Sequence, residues 1–324
     1  MKAMLCSQFG EPGDLVLADI PEPVAGPGQV VIANKAVALN FFDILMVQGK
    51  YQTKPPLPFS PAAEIAGVVD SIGSGVTGLK VGDRVAAVCG HNGAREKTAV
   101  PASAIVKVPD GLDFDRSAGV IVTYGTALHA LQDRLSPKPG QTMAVLGAAG
   151  GTGLAACEIG KLLGLKVIAC ASSEEKLAFV KGHGADLGLN YAKEDLKDGL
   201  RRLTDGKGPD IIFDPVGGPY AEAALRAIAW EGCFLVVGFA AGEIPKIPLN
   251  VALLKSCDIR GVSSGAWFAR NPDKNRAGQE KLMQWATEGK ISAAVDRTFP
   301  LAKTVDAMNV LASRQAMGKI ILHP

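Results

Sequence analysis

The run Gly147-Ala148-Ala149-Gly150-Gly151-Thr152-Gly153 is the strongest chemical signal in the sequence. It follows an apolar, strand-like stretch, Thr142–Leu146, and leads into a helix-like one at residues 152–164. Ala148, Gly150 and Gly153 fit the G/A-x-G-x-x-G spacing. A turn without bulky side chains lets backbone approach a pyrophosphate, and the helix start offers unpaired N–H groups and partial positive charge. A glycine-rich turn can also serve close packing alone, but its place between strand and helix, with a second strand following, favours the nucleotide reading.

That second strand, Lys166–Ala171, ends in Ser172 and Ser173, with Lys176 one turn further on. An NAD site usually puts Asp or Glu there for the ribose 2′-hydroxyl. Two hydroxyls and an ammonium suit a 2′-phosphate instead, and each hydrogen bond to a charged group is worth about 1.5–3 kcal/mol. The expected cofactor is therefore NADPH. Glu174 and Glu175 argue the other way, since either can reach a ribose. Ser172 also reads as a helix N-cap and Lys176 as a solvated surface charge.

Other reactive residues form no constellation. Cys6, Cys89, Cys157, Cys170, Cys233 and Cys257 include no CxxC pair, so in a reducing compartment they read as small buried hydrophobes. Cys89-Gly90-His91 lacks a third and fourth ligand at metal spacing, and His129, His183 and His323 stand alone. No metal site is expected.

The elements that must position the turn follow from texture. The first third is rich in Gly, Pro, Val and Ala, with strand-like runs at 29–34 and 66–72 between turns such as Gly26-Pro27-Gly28, which suggests a partly closed β-barrel. From Tyr124 onward apolar strands alternate with helices. After Thr142–Leu146 and Lys166–Ala171 they fall at 186–190, 210–214, 233–238 and 258–262, as in a parallel, doubly wound sheet. Helices at 279–288 and 306–313 and a strand at 319–322 close the chain. The predicted division is 1–123 with 266–324 for a catalytic domain and 124–265 for a dinucleotide-binding domain.

Composition fits a soluble globular chain: 324 residues, 48% hydrophobic, with a net charge of +2 that argues against nucleic-acid partners. The amino terminus lacks a signal-peptide core and no apolar run has membrane-spanning length, so the expected compartment is the cytosol.

Further motifs are Asn40-Phe41-Phe42-Asp43, Glu64-Ile65-Ala66-Gly67-Val68-Val69, Val81-Gly82-Asp83-Arg84-Val85, Asn190-Tyr191, Asp214-Pro215-Val216-Gly217-Gly218, and the tail Ser313-Arg314 with Gly318-Lys319. With the glycine turn, they resemble the medium-chain dehydrogenase/reductase family, and within it the zeta-crystallin-like quinone oxidoreductases, over nearly the whole chain. The resemblance implies a GroES-like β-barrel catalytic domain with a Rossmann domain, and a homodimer paired through the last sheet strands. It implies that Gly150, Gly151, Thr152 and Gly153 line a pyrophosphate, and that Ser172, Ser173, Lys176, Tyr191 and Arg314 surround the 2′-phosphate. Gly217, Gly238 and Phe239 would underlie the dinucleotide, and Asn40, Tyr51 and Thr126 would line the nicotinamide and substrate cleft. Relatives often carry a tyrosine two positions after Asn-x-x-Asp, where this chain has Leu45. Zinc alcohol dehydrogenases of the family place ligands where this chain has Asn40 and Ala63, and only Cys89 falls in the region of their four-cysteine lobe.

The reaction expected from the resemblance is hydride transfer from NADPH to a quinone in the interdomain cleft, without zinc. Enones, alkenals and enoyl thioesters are alternative acceptors on the same scaffold. A different class of reading is an NADPH-binding structural or RNA-associated protein.

Overall fold

The structure, a computed structural model, describes residues 1–324. The chain begins with the antiparallel pair β1 (Lys2–Leu5) and β2 (Val16–Asp19), then β3 (Gln29–Leu39), α1 (Phe41–Val47), β4 (Glu64–Ile72), β5 (Arg84–Val88), β6 (Lys97–Pro101), β7 (Ile105–Lys107) and α2 (Phe114–Leu128). It continues through β8 (Thr142–Leu146), α3 (Gly151–Leu162), β9 (Lys166–Ala171), α4 (Glu174–Lys181), β10 (Leu187–Asn190), α5 (Leu196–Arg202), β11 (Ile211–Asp214), α6 (Pro219–Ala227), β12 (Cys233–Val236), α7 (Leu249–Lys255), β13 (Asp258–Gly261) and α8 (Ser264–Arg270). It closes with α9 (Pro272–Thr287), β14 (Val295–Pro300), α10 (Thr304–Ala312) and β15 (Lys319–His323). No helix is long and apolar enough to cross a membrane.

Two compact units result: Met1–Val122 with Pro272–Pro324, and Thr123–Asn271. The first is a seven-stranded sheet in the order β14-β15-β3-β4-β5-β7, with β6 also paired to β3. Strand β3 is its spine. Its first half pairs with β4 and β6, and its second half with β4 and β15. The strand is longer than the run at 29–34 that its texture predicts. It runs to Leu39 because Ala36 to Leu39 are all buried, with antiparallel strands on both edges. A Cβ on Gly67 would lie 2.1 Å from the Ala33 carbonyl oxygen, so β3 and β4 approach this closely only with glycine there.

The second unit is a six-stranded parallel sheet in the order β10-β9-β8-β11-β12-β13. The order reverses between β8 and β11, and open α/β sheets take ligands beside the strand ends at such a switch point. Met143 to Leu146 and Val167 to Ala171 are almost wholly buried, as strands covered by helices on both faces must be.

The units divide at Val122/Thr123, inside α2, and at Asn271/Pro272, some residues beyond the expected 265/266. Helix α8, absent from the sequence reading, belongs to the parallel-sheet unit because Ser264 bonds Thr126 and Trp267 stacks on buried His129 with centroids 4.2 Å apart. Helix α9 also starts earlier than the 279 expected. Pro272 is compatible with a helix's first turn, where its missing N–H is no loss, and the polar residues that follow lie on an exposed turn.

Gly147 adopts φ +58°, and a Cβ on Gly153 would sit 2.3 Å from the Gly147 oxygen and 2.8 Å from Ala148 Cα. Helix α3 therefore presses on the turn before it. Gly153→Ala should destabilise the protein by about 1–3 kcal/mol in urea melting; a melt within error of the parent would show that the backbone yields freely.

Candidate active site

Gly150 is the N-cap of α3 with φ −75° and no side chain to cap it. The first intrahelical bond runs from Leu154 N to Gly150 O, so the N–H groups of Gly151, Thr152 and Gly153 have no acceptor within the helix. A Cβ on Gly150 would meet only the Gly147 oxygen, at 3.5 Å. The space before the helix is thus open, and an anion there would meet free donors and the positive helix end.

At the end of β9 the two serines divide their roles differently from the expectation that Ser172 caps the helix. Ser173, not Ser172, is the N-cap of α4, and it accepts from Lys176 N at 3.3 Å. Ser172 Oγ instead lies 3.4 Å from Lys176 Nζ, so hydroxyl and ammonium come together. Glu174 is held by Asn190 Nδ2 at 2.8 Å and Lys193 Nζ at 3.0 Å, and these two partners keep its carboxyl below the usual range. Tyr191 follows β10, half-buried, with its ring 4.7 Å from that of Tyr220.

Past β11, buried Asp214 shapes the next turn. Its Oδ1 accepts from Val216 N and Gly217 N, both at 2.8 Å, while burial pushes its carboxyl up to about 6. Gly217 and Gly218 then take φ +65° and +60°. A Cβ on Gly217 would lie 2.8 Å from Phe239 Cδ1, and one on Gly238 3.2 Å from the Pro215 oxygen, so Gly217, Gly238 and Phe239 form one tight cluster. Thr126 is buried and donates to Ser264 Oγ at 3.0 Å.

The barrel unit carries Asn40, Tyr51 and Arg314. Asn40, the N-cap of α1, is committed on both side-chain atoms: Nδ2 donates to Glu64 Oε1 at 2.8 Å and Oδ1 accepts from Lys319 Nζ at 2.7 Å. Lys319 also donates to Glu64 Oε1 at 2.7 Å and to the Leu39 carbonyl at 3.0 Å. Glu64 Oε2 takes the Val122 amide at 2.7 Å. Lysine and glutamate are 3% and 0% exposed, so this is a buried ion pair with its lone pairs and protons satisfied. Sequence reasoning gave Glu64 and Lys319 no role. The available signal was a charge at the head of each of two strands, directly before an apolar run.

Asp43 lies beside this network at 0% exposure. One oxygen accepts from Asn40 N at 2.7 Å, and Oδ1 is buried without a hydrogen bond. Burial pushes its carboxyl up to about 7, against the pull of the Asn40 amide and Lys319. Tyr51 stacks on Phe42 with centroids 5.2 Å apart; burial raises its hydroxyl, and the Asp43 charge adds to the effect. The Leu45 carbonyl holds the amides of Lys50 and Tyr51 at 2.8 and 3.1 Å. Arg314 stands just past α10 at φ +57°. Cys89 points its thiol at the Ala62 carbonyl, and burial raises its pKa. Neither it nor His91 joins any group of three His, Cys, Asp or Glu able to hold a metal.

A parallel sheet with a glycine-rich, uncapped helix start at its switch point, carried by the same chain as a β-barrel, is the architecture of a nicotinamide-dependent oxidoreductase. Two known families match: "Alcohol dehydrogenase GroES-like domain" over residues 26–110 and "Zinc-binding dehydrogenase" over 151–282. The chain is 39% identical to a quinone oxidoreductase-like protein 2 homolog of Nematostella vectensis, covering 99% of this chain and 88% of that one. It is 33% identical to a quinone oxidoreductase of Pseudomonas aeruginosa, covering 100% and 99%. The Escherichia coli quinone oxidoreductase, solved in complex with NADPH, superposes with a TM-score of 0.94 at 26% identity, each chain covered completely. The chain belongs to the zeta-crystallin-like quinone oxidoreductase group of the medium-chain dehydrogenase/reductase family, and is an oxidoreductase with a GroES-like barrel and a Rossmann unit.

The raised carboxyl of Asp43 makes stability pH-dependent. Unfolded, Asp43 loses its proton near pH 4; folded, it keeps it to about 7. Its contribution is full below the lower value and is lost as pH rises to the upper one, by at most about 1.4 kcal/mol per unit. Asp43→Asn should flatten that decline in urea melts taken between pH 4.5 and 7.5. Parallel slopes in parent and variant would count against a protonated Asp43.

Proposed function

We propose that the protein is an NADPH-dependent reductase that delivers hydride to quinones and similar conjugated carbonyl compounds without a metal ion. The observation that carries the reading is the open helix start at Gly150, together with the Ser172–Lys176 pair at the end of the neighbouring strand. The first suits a pyrophosphate and the second a 2′-phosphate. Glu174 is already occupied by Asn190 and Lys193, which weakens the case for a ribose 2′-hydroxyl partner. NADPH, where bound, supplies a hydride.

In this reading Gly150, Gly151, Thr152 and Gly153 hold the pyrophosphate through backbone N–H groups, with Ser172, Ser173, Lys176, Tyr191 and Arg314 as the 2′-phosphate set. Gly217, Gly238 and Phe239 form the surface under the dinucleotide. Asn40 and Thr126 act through their positions, since both side chains already have partners. Phe41, Phe42, Leu45 and Tyr51 supply apolar surface suited to a flat acceptor, and the reduced oxygens take protons from solvent. Zinc independence rests on the donor set: Asn40 is bound to Glu64 and Lys319, and Ala63 offers no ligand atom. Six free cysteines fit a reducing compartment such as the cytosol.

The deciding experiment measures NADPH oxidation against matched quinones, enones and acyl-CoA enones, before and after chelation. Quinones should turn over fastest at a chelator-insensitive rate. Lys176→Ala should raise KM for NADPH about tenfold and leave NADH unchanged. Stoichiometric zinc with chelator-sensitive alcohol oxidation would overturn the reading.

Strand β13 bears on assembly. It ends the parallel sheet, with one backbone edge unpaired and Ile259 41% exposed. We expect a second copy to pair along this edge. Light scattering at micromolar concentration should give twice the 33.6 kDa chain mass; a monomer there rules the dimer out.

A further inference from the structure

Three helices of the Rossmann unit border an open surface cavity of about 250 Å³ that none of the residues discussed above lines. Its walls are Lys197 and Arg201 from α5, Arg226 from α6, and Val251, Leu254 and Lys255 from α7. Four cations converge, and no carboxylate belongs to the wall. Glu222 pairs with Arg226 at 2.7 Å, and Asp198 reaches only within 3.9 Å of Lys197. Lys255 donates to the Ile228 carbonyl at 2.9 Å, while burial and the neighbouring Arg201 charge both push its pKa down. Arg201 Nε is buried without a hydrogen bond.

Basic residues in last helical turns often serve only to complement the helix end. That accounts for Lys255 on the carbonyl that follows α6, and for Arg226 beside its own Glu222. It does not account for Arg201, whose buried Nε donor has no acceptor and whose charge acts on Lys255. A buried donor left without an acceptor destabilises the fold. An oxyanion in the cavity would remove that cost and the repulsion between Arg201 and Lys255 together. Buried Val251 and the 70% exposed Leu254 add a short apolar wall. The volume falls below the roughly 300–1,000 Å³ of pockets for larger ligands, so the occupant is small.

We propose that this cavity binds a small organic anion, a carboxylate or phosphate monoester on a short aliphatic chain. The guanidinium of Arg201 takes two oxygens, Lys255 and Lys197 balance the charge, and the aliphatic part lies on Val251 and Leu254. The site is separate from the cofactor cluster. Arg226 lies in the last turn of α6, about 10 Å along the helix from its first residue, Pro219, and Gly217 lies beyond that first end.

The test titrates hexanoate, hexyl phosphate and acetate into the full-length protein by calorimetry. Hexanoate or hexyl phosphate should bind saturably below ~10 mM, and whichever is tighter identifies the head group. Acetate should bind at least about fivefold more weakly than hexanoate. Arg201→Gln, which removes an uncompensated cation and so should melt no lower than the parent, should weaken binding about tenfold or more. Arg202→Gln on the same helix, an exposed charge paired to Glu194, should change it less than about twofold. No saturation in the parent, equal affinity in Arg201→Gln, or an equal loss in Arg202→Gln would each overturn the proposal.

Discussion

The pairing of Lys319 with Glu64 is the constraint on which the barrel unit turns. Two opposite charges are removed almost completely from water, a cost met only when every donor and lone pair finds a partner. The partners come from far apart: the Leu39 carbonyl that ends β3, the Asn40 side chain that starts α1, and the Val122 amide within α2. One ion pair thus fixes a strand end, a helix start and the passage of a second helix. Gly119 on that helix belongs to the same arrangement, because a Cβ there would lie 3.1 Å from Lys319 Cγ.

In the Rossmann unit the corresponding constraint is absence of bulk. Gly153 lets α3 press on its own turn, Gly147 turns the chain through a left-handed conformation, and Gly150 leaves the helix end uncovered. Asp214 does similar work across the switch point, holding the turn that brings Gly217 against Phe239. In each case the backbone conformation shapes the surface, and at the end of β9 Lys176 brings a charge against the Ser172 hydroxyl.

What could be read from sequence was what is local. The strand, turn and helix around Gly147 to Gly153 are contiguous, so spacing alone located them, and β8 and β9 fall within the expected bounds. The engagement of Glu174 was hidden because Asn190 and Lys193 arrive from another strand. The exchange between Ser172 and Ser173 depends on which residue takes the extended φ of −151° before α4, a distinction of one position that pattern does not resolve. Asn40 was legible as a motif but not as one corner of a buried network, since its partners are 24 and 279 residues away. Strand β3 was cut short for the same reason: its second half is stabilised by β15, at the far end of the chain.

That separation also sets an order of events on the ribosome. Glu64 emerges 255 residues before Lys319, which at about 5–20 residues per second is a wait of roughly 10–50 s. Through that interval the nascent barrel holds an acid with no base to meet it and lacks the strand that covers the end of β3. The whole parallel sheet, from Thr142 to Gly261, is meanwhile translated and free to close. The part of the molecule that begins first is therefore completed last, and until then its open strand edge is a surface for chaperones to guard.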